Sequence, residues 1–312
     1  MFSSVGAHCL MEAKLRYGIH AMVWAGHWSR AEAERAVGSA ARIGYDILEI
    51  PFMDTDDFDV AYTKELLRNN DLAGAISLGL SPDVDVSSVD VAKVRRGAEC
   101  LKKALEACAA FGGDYLGGVI YSALTKYDST PTAAGRANAV SVIRDLAREA
   151  KSHGVNVGLE AVNRYETNLL NTGAQALRFI DDVGEPNVFV HLDTFHMNIE
   201  EADVVAAIEL CRDRIGYFHV NENHRGYLGS GMIDFAPAFR SLARMGYDKT
   251  IAFEAFSSSA AGGTLASMVA AWRDIWSDSD DIAGHALAFM KTEWEQASRS
   301  GHLAALGERE RD

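Results

Sequence analysis

The sequence contains no long apolar segment. Its 312 residues are 48% hydrophobic and 24% charged, which is the composition of an ordinary globular protein. No stretch approaches the roughly 18 consecutive apolar residues that a membrane-spanning helix needs. The first residues also lack a basic segment ahead of a long apolar stretch, as a secretory signal would require. We therefore expect no membrane partner and a cytoplasmic location.

Basic side chains and cysteines are both scarce. Thirty lysines and arginines stand against 44 aspartates and glutamates, which gives a formal net charge of −14. That charge repels nucleic-acid phosphates and removes the counterion release that drives binding to them, so no nucleic-acid partner is expected. The four cysteines include no C-x-x-C pair. This argues against a disulfide framework and a thiolate zinc site, and it fits a reducing compartment.

The sequence also lacks a G-x-G-x-x-G motif opening a helix after the first strand, which an open doubly wound dinucleotide-binding sheet would need. Instead, short apolar runs alternate with longer segments of helical periodicity. The predicted strands are 17–23, 46–50, 73–78, 115–120, 155–160, 188–193, 216–220 and 250–254. The predicted helices include 29–43, 90–111, 132–153, 173–183 and 199–212, and the candidate left-handed helix caps are Gly44, Gly112, Gly154 and Gly246.

This alternation predicts an α/β fold, specifically a (β/α)8 TIM barrel. We expect a single catalytic domain over residues 16–300, preceded by an extension over 1–15 and followed by a charged tail over 301–312. The active site of such a barrel lies at the carboxyl ends of its strands. The last residues of the predicted strands are therefore the positions to inspect for chemistry.

Four of those strand ends carry polar side chains: Glu160, Asp193, His219 and Glu254. Three carboxylates and one imidazole at one mouth would repel each other unless a divalent cation neutralised them. An oxygen-rich set with one nitrogen suits Mn²⁺, Co²⁺ or Mg²⁺, and Mn²⁺ is the ion we expect first. Each acid could instead simply cap a helix or solvate a strand end. Glu49 and His191, also near strand ends, could brace the site, although a core histidine is the favoured interpretation of His191.

Four segments around these residues closely resemble the D-tagatose 3-epimerase and D-allulose (D-psicose) 3-epimerase family, whose members are xylose isomerase-like TIM barrels. They are LEAVNRYETNLLNT (159–172), HLDTFHMNIEE (191–201), HVNENHRGYLGSG (219–231) and FEAFSSS (253–259). The resemblance implies a metal held by Glu160, Asp193, His219 and Glu254, with the two glutamates also acting as acid and base. It implies sugar contacts from Glu166, His196 and Arg225. It further implies a homodimer or homotetramer.

Inversion at carbon 3 of a ketose requires removal of a proton beside the C2 carbonyl and return of one to the opposite face, through a cis-enediolate. Two acid/base groups must flank that carbon, and Glu160 and Glu254 come from separate strands. The expected activity is therefore that of a metal-dependent isomerase acting on a free ketose such as D-fructose, D-allulose, D-tagatose, D-sorbose or L-ribulose.

Several alternatives remain at this point. A sugar-phosphate 3-epimerase, an aldose–ketose isomerase or an inosose dehydratase could use the same barrel, since TIM barrels often bind phosphate after strands seven and eight. The serines at 257–259 lie there, but a serine run is weak evidence without a lysine or arginine. The segment GYLGSG (226–231) also lacks the lysine of a phosphate loop. A metal-dependent endonuclease and a non-catalytic sugar-binding protein are more remote possibilities.

Overall fold

A computed structural model describes residues 15–52 and 58–309. In that part of the chain, eight parallel strands close into a barrel in sequence order, with strand one paired to strand eight. The TIM-barrel prediction is therefore confirmed. The expected extension lies almost entirely outside the described residues, as do residues 310–312 of the expected tail. None of the described helices is long and apolar enough to span a membrane.

The strands and helices of the described residues alternate along the chain. The strands are β1 Arg16–His20, β2 Ile47–Pro51, β3 Ala73–Leu80, β4 Tyr115–Ala123, β5 Asn156–Glu160, β6 Val188–Asp193, β7 Ile215–Val220 and β8 Thr250–Phe253. The helices are α1 Arg30–Ile43, α2 Val60–Asn69, α3 Val91–Phe111, α4 Ala133–Ser152, α5 Gly173–Val183, α6 Thr194–Glu200, α7 Val204–Cys211, α8 Ala236–Arg244, α9 Ser258–Met268 and α10 Ser279–Arg309.

Local sequence explains where several helices begin and end. Ser29 caps α1 with a full capping box, in which its hydroxyl accepts from the Glu32 amide and the Glu32 carboxylate accepts from the Ser29 amide. The four predicted glycine caps, at positions 44, 112, 154 and 246, all have positive φ angles. Glycine adopts that backbone conformation without the penalty that a Cβ imposes. These caps turn the chain from each helix back toward the next strand.

Two sequence-based element predictions are wrong in detail. Strand one was expected to run over 17–23, but β1 ends at His20 and a short 3-10 helix occupies Ala21–Val23. The His20 ring accepts a hydrogen bond from the Met22 amide, which starts that turn. The helix predicted over 199–212 is two helices, α6 and α7. The Asp203 carboxylate accepts from the Ala206 amide and starts α7 afresh.

The barrel interior is closed on its amino-terminal side by packed side chains. The rings of Tyr115 and Tyr217 stack with centroids 4.6 Å apart. Glycine is required beside them, because a Cβ at Gly158 would lie 1.6 Å from the Tyr115 hydroxyl oxygen. This packing fills the amino-terminal end of the barrel interior. The polar residues at the carboxyl ends of the strands lie at the opposite mouth of the barrel.

Candidate metal centre and substrate pocket

The structure brings the four predicted metal ligands together. Glu160 ends β5, Asp193 ends β6, His219 lies on β7, and Glu254 directly follows β8. One potential ligand atom from each side chain lies within 4.8 Å of the others, and all four residues are buried. Strand ends that are distant in sequence therefore converge on one point at the barrel mouth.

His219 is oriented by a carboxylate from another strand of the barrel, separated from β7 by β8 and β1. Its Nε2 lies 2.7 Å from Oε2 of Glu49, in the middle of β2. Its Nδ1 is buried and has no hydrogen-bond partner among the described residues. That atom faces the other candidates, 3.6 Å from Glu160 Oε1 and 3.7 Å from Glu254 Oε2. Buried polar atoms are rarely left unpaired, so Nδ1 needs a partner at the centre of the cluster.

The donor set fits a divalent cation. Burial raises the pKa of the Glu160 and Asp193 carboxyl groups, and neighbouring carboxylates raise it further. Burial opposes protonation of His219, yet the Glu49 and Glu254 carboxylates raise its pKa well above the ordinary value. A cation would neutralise the carboxylates and satisfy Nδ1 at once. Three carboxylates with one imidazole suit a hard or borderline divalent ion.

His191 lies next to this cluster inside the barrel. It could form a second, three-residue ligand group with Glu160 and His219. Its ring packs edge-on against that of His219, with centroids 4.1 Å apart. Burial and the adjacent His219 hold its pKa well below the ordinary value, so the imidazole is neutral. The four-residue group, which opens toward the pocket, is the better candidate because it brings three carboxylates to one cation.

Arg225 reaches into the same cluster from the loop after β7. Its Nη1 donates to Oε2 of Glu254 at 2.6 Å and to Oδ2 of Asp193 at 3.1 Å. The guanidinium lies over the rings of Phe195 and Phe256, 3.9 and 4.8 Å from their centroids. Its backbone φ is +62°, which is unusual outside glycine. The loop therefore holds a desolvated cation beside two of the candidate ligands.

His196, on α6, is a neutral imidazole at the pocket wall. Its Nδ1 accepts from the Asn163 amide N–H at 3.1 Å. Its Nε2 lies 3.2 Å from Nη2 of Arg225, which, like a backbone N–H, can only donate a hydrogen bond. Burial and Arg225 hold the pKa of His196 well below its ordinary value. The same Nε2 lies 3.6 Å from Asp193 Oδ2 and 3.8 Å from Glu160 Oε1, so the ring also faces two candidate metal ligands.

Glu166 lies in the turn that follows β5. The side-chain amide of Asn163 donates to Oε1 of Glu166 at 2.8 Å. Arg164 pairs with Glu200 through two hydrogen bonds and ties this turn to α6. Burial raises the pKa of Glu166 to about 7, although the nearby Arg225 acts in the opposite direction. Glu166 can therefore change its charge near neutral pH.

A single cavity is lined by five of the seven residues predicted for the site. These are Glu160, Glu166, His196, Arg225 and Glu254, and the surrounding wall includes His20, Met22, Leu124 and Phe256. Asp193 and His219 are completely buried below its floor. The cavity thus offers acids and hydrogen-bond donors on one side and apolar surface on the other, as small-molecule sites do.

In each of the two loops that could bind phosphate, a carboxylate of the protein itself accepts hydrogen bonds from the loop's donors. Buried Glu222 accepts from the amides of Gly229 and Ile233, each at 3.1 Å, within and just after the glycine-rich segment. Asp274 accepts from the Ser258 hydroxyl at 2.6 Å and from the Ser259 amide at 2.8 Å. Donors that a phosphate would need are therefore already paired with internal anions.

Sequence reasoning missed several residues that shape the site. Asn221 donates to Asp193 Oδ2 at 2.9 Å, and it lies two residues after His219, so strand alternation could have placed it on the same face. Asn163 contacts both Glu166 and His196. Glu222 and Asp274 had no such signal, because their partners depend on loop geometry. The predicted bracing role of Glu49 agrees with its hydrogen bond to His219.

Comparison with known proteins places this geometry in a family. Residues 37–293 match the xylose isomerase-like TIM barrel model. An L-ribulose 3-epimerase from Methylomonas sp. (strain DH-1) is 49% identical over 278 residues, covering 89% of this chain and 97% of the relative. A ketose 3-epimerase from Arthrobacter globiformis is 44% identical over 277 residues, covering 89% and 96%.

A solved structure agrees with these sequence relationships. The D-allulose 3-epimerase from Methylomonas sp. in complex with D-allulose superimposes with a TM-score of 0.88 at 48% identity, covering 90% of this chain and 98% of that one. Both the fold and the near-complete coverage of each relative support common descent. The chain therefore belongs to the xylose isomerase-like TIM barrel family and, within it, to the ketose 3-epimerases.

Proposed function

We propose that this protein is a divalent-metal-dependent 3-epimerase of free ketoses. The observation that carries the proposal is the unpaired Nδ1 of His219, which faces three buried carboxylates at the floor of a pocket. Two of those carboxylates, Glu160 and Glu254, also line the pocket itself. One cluster can therefore hold a cation and present two acid/base groups to a bound sugar.

Glu160 and Glu254 are the proposed acid/base pair. They approach the pocket from β5 and from the end of β8, which are separate positions around the barrel. One carboxylate removes the C3 proton of the ketose, and the other, in its protonated form, delivers a proton to the opposite face of the resulting enediolate. The reverse reaction exchanges their roles, so both directions need both groups.

His196, Arg225 and Glu166 are proposed to bind and orient the sugar. The His196 ring and the Arg225 guanidinium donate hydrogen bonds to substrate oxygens and stabilise negative charge on the enediolate. Glu166 accepts from a sugar hydroxyl when it is ionised. Because all three side chains are held by neighbouring groups, little ordering is required when the substrate enters.

The proposed cofactor is one divalent ion, held by Glu160, Asp193, His219 and Glu254. Mn²⁺ suits this mixed oxygen and nitrogen set best, and Co²⁺ and Mg²⁺ are the alternatives. When bound, such an ion supplies Lewis acidity that polarises the substrate carbonyl and stabilises an adjacent anion. The positive charge of the ion then offsets the repulsion among the buried carboxylates of the cluster.

The substrate is proposed to be a free ketose, since Glu222 and Asp274 occupy the donors that a phosphate would use. The named substrates of the relatives, L-ribulose and D-allulose, are the first candidates, followed by D-fructose, D-tagatose and D-sorbose. Incubation of the Mn²⁺-loaded protein with each sugar and with D-fructose 6-phosphate, followed by chromatography, tests this. A C3 epimer from a free ketose supports the proposal. Turnover of only the phosphate, or formation of an aldose, contradicts it.

We also propose that the protein is a cytoplasmic homodimer or homotetramer. Tyr165, Ile199 and Trp272 are exposed apolar side chains lining one groove beside the pocket mouth. Exposed apolar surface of this kind is typical of association sites. Light scattering of the purified protein at several concentrations tests the oligomeric state. A monomer at all concentrations would contradict it.

A further inference from the structure

Glu49 is a buried carboxylate that lies outside the group of candidate metal ligands. It is 1% exposed, and its Oε2 lies 2.7 Å from Nε2 of His219. The charged residues of the proposed mechanism surround the opposite edge of that imidazole, where Nδ1 faces Glu160 and Glu254. Glu49 therefore contacts a proposed metal ligand on the side that faces away from the candidate metal centre, and it is not itself a candidate ligand.

The chemistry of the imidazole gives this contact a consequence. A neutral ring has one N–H and one lone pair, and the partner of one nitrogen decides the state of the other. An ionised carboxylate only accepts hydrogen bonds, so its bond to Nε2 requires the proton there. In the neutral form of the ring, which is the form that binds a metal, the lone pair is then on Nδ1, the nitrogen facing the other three candidate ligands.

The second oxygen of Glu49 faces another imidazole N–H. Nδ1 of His20 accepts from the Met22 amide, so the His20 proton lies on Nε2. That Nε2 lies 3.9 Å from Oε1 of Glu49. His20 and Glu49 are direct neighbours in the register of β1 and β2. Glu49 therefore lies between a proposed metal ligand and a residue of the pocket wall.

We propose that Glu49 is a positioning residue that fixes the proton of His219 on Nε2 and so directs the Nδ1 lone pair at the metal centre. This inference rests on the metal dependence proposed above. Carboxylates that hold metal-binding histidines in this way typically contribute 10- to 100-fold to metal affinity. Glu49 thus acts on the metal through His219, without touching metal or sugar.

The test compares Mn²⁺ affinity in the full-length wild-type protein and in Glu49→Gln, measured by calorimetric titration after removal of metal. The glutamine keeps the volume, but its amide can donate to Nε2 and favour the wrong tautomer. We expect Mn²⁺ to bind about 10- to 100-fold more weakly. Asp85→Asn is the matched control, because Asp85 is also a buried carboxylate but pairs with Ser87 and Tyr127. The control should bind Mn²⁺ with wild-type affinity.

Two further measurements separate positioning from general damage. In Mg²⁺-loaded protein with ¹⁵N-labelled histidine, NMR should show the His219 proton on Nε2 in the wild type, and this signature should be lost in Glu49→Gln. In a His219→Gln background, Glu49→Gln should weaken Mn²⁺ binding little further, because residues acting through one another are non-additive. If the losses of Mn²⁺ affinity in the two single variants add in full in the double variant, the proposal is overturned. Wild-type Mn²⁺ affinity in Glu49→Gln would overturn it as well.

The outcome for the wild-type protein distinguishes this inference from the proposed reaction. A wild-type protein that binds no Mn²⁺ would overturn both the metal centre and the role of Glu49. If the wild type binds Mn²⁺ but epimerises no ketose, the proposed reaction fails. The affinity ratio between wild type and Glu49→Gln still decides the role of Glu49.

Discussion

Nη1 of Arg225 lies 2.6 Å from Oε2 of Glu254, one of the four candidate metal ligands. The same nitrogen donates to Asp193 at 3.1 Å. Arg225 and a divalent cation would thus interact with the same two carboxylates. The guanidinium can offset their charge, but it cannot replace a ligand, since it has no lone pair to donate.

Replacement of Arg225 by alanine should therefore impair sugar handling and leave metal binding intact. The variant loses charge-assisted hydrogen bonds worth about 1.5–3 kcal/mol, so kcat/KM should fall roughly 10- to 150-fold. The Mn²⁺ affinity should stay equal or increase, because a competing cation is gone. Steady-state kinetics and Mn²⁺ titration measure the two effects. Loss of Mn²⁺ binding in Arg225→Ala would show that the ligand set is misassigned.

Replacement of either pocket glutamate by glutamine should stop epimerisation while the barrel still folds. General acid/base groups contribute about 10²- to 10⁴-fold, so Glu160→Gln and Glu254→Gln should each lose at least about 10²-fold in kcat at saturating Mn²⁺. Circular dichroism should match the wild type. Asp114→Asn is a suitable control, because Asp114 pairs with Arg16 away from the proposed site. Near-normal turnover by either glutamine variant would exclude the two-glutamate mechanism.

Removal of metal should lower both activity and stability. A ligand that binds only the folded state stabilises it by about 2.7 kcal/mol at a concentration 100 times its Kd. Chelator-treated protein should therefore be inactive and unfold at a lower temperature. Added Mn²⁺ should restore both properties, and Co²⁺ or Mg²⁺ should do so to different degrees. Full activity after exhaustive chelation, checked by elemental analysis, would contradict the metal requirement.

The pKa of Glu166 predicts a pH-dependent stability difference. Burial raises this pKa from 4.5 to about 7, so the folded state favours the protonated carboxyl. The resulting stabilisation is fully present below pH of about 4.5 and is lost as pH rises through about 7. Since one pKa unit is worth about 1.4 kcal/mol, wild type should lose up to about 3 kcal/mol relative to Glu166→Gln. Urea unfolding of the chelator-treated proteins at several pH values measures this. A difference independent of pH would show that Glu166 has no raised pKa.

The sequence was most informative where the chemistry lies on regular strands. Glu160, Asp193 and His219 are strand residues, and Glu254 lies one residue beyond a strand, so alternation and barrel geometry predict their convergence. The glycine caps were predictable because many helices end in a left-handed residue, and glycine adopts that conformation most easily. Pattern and fold class together thus located the proposed metal centre without knowledge of any side-chain distance.

The remaining features depended either on competition between local signals or on contacts made only in the folded chain. The break between α6 and α7 follows from the Asp203 cap, which competed with a continuous apolar periodicity. Asp274 pairs with serines that lie about fifteen residues earlier in the chain, and this pairing required the folded loop. The positive φ of Arg225 aims its guanidinium at Glu254, although a non-glycine residue gives no sign of that backbone conformation.

The most direct test of the proposed function is C3 labelling during turnover. Metal-stripped protein is reloaded with Mn²⁺ and incubated with D-fructose in deuterated water, and the sugars are separated and examined by NMR. We predict D-allulose carrying deuterium at C3, formed only when the metal is present. D-allulose without deuterium at C3, a metal-independent product, or no C3 epimer from any free ketose would contradict the proposed function.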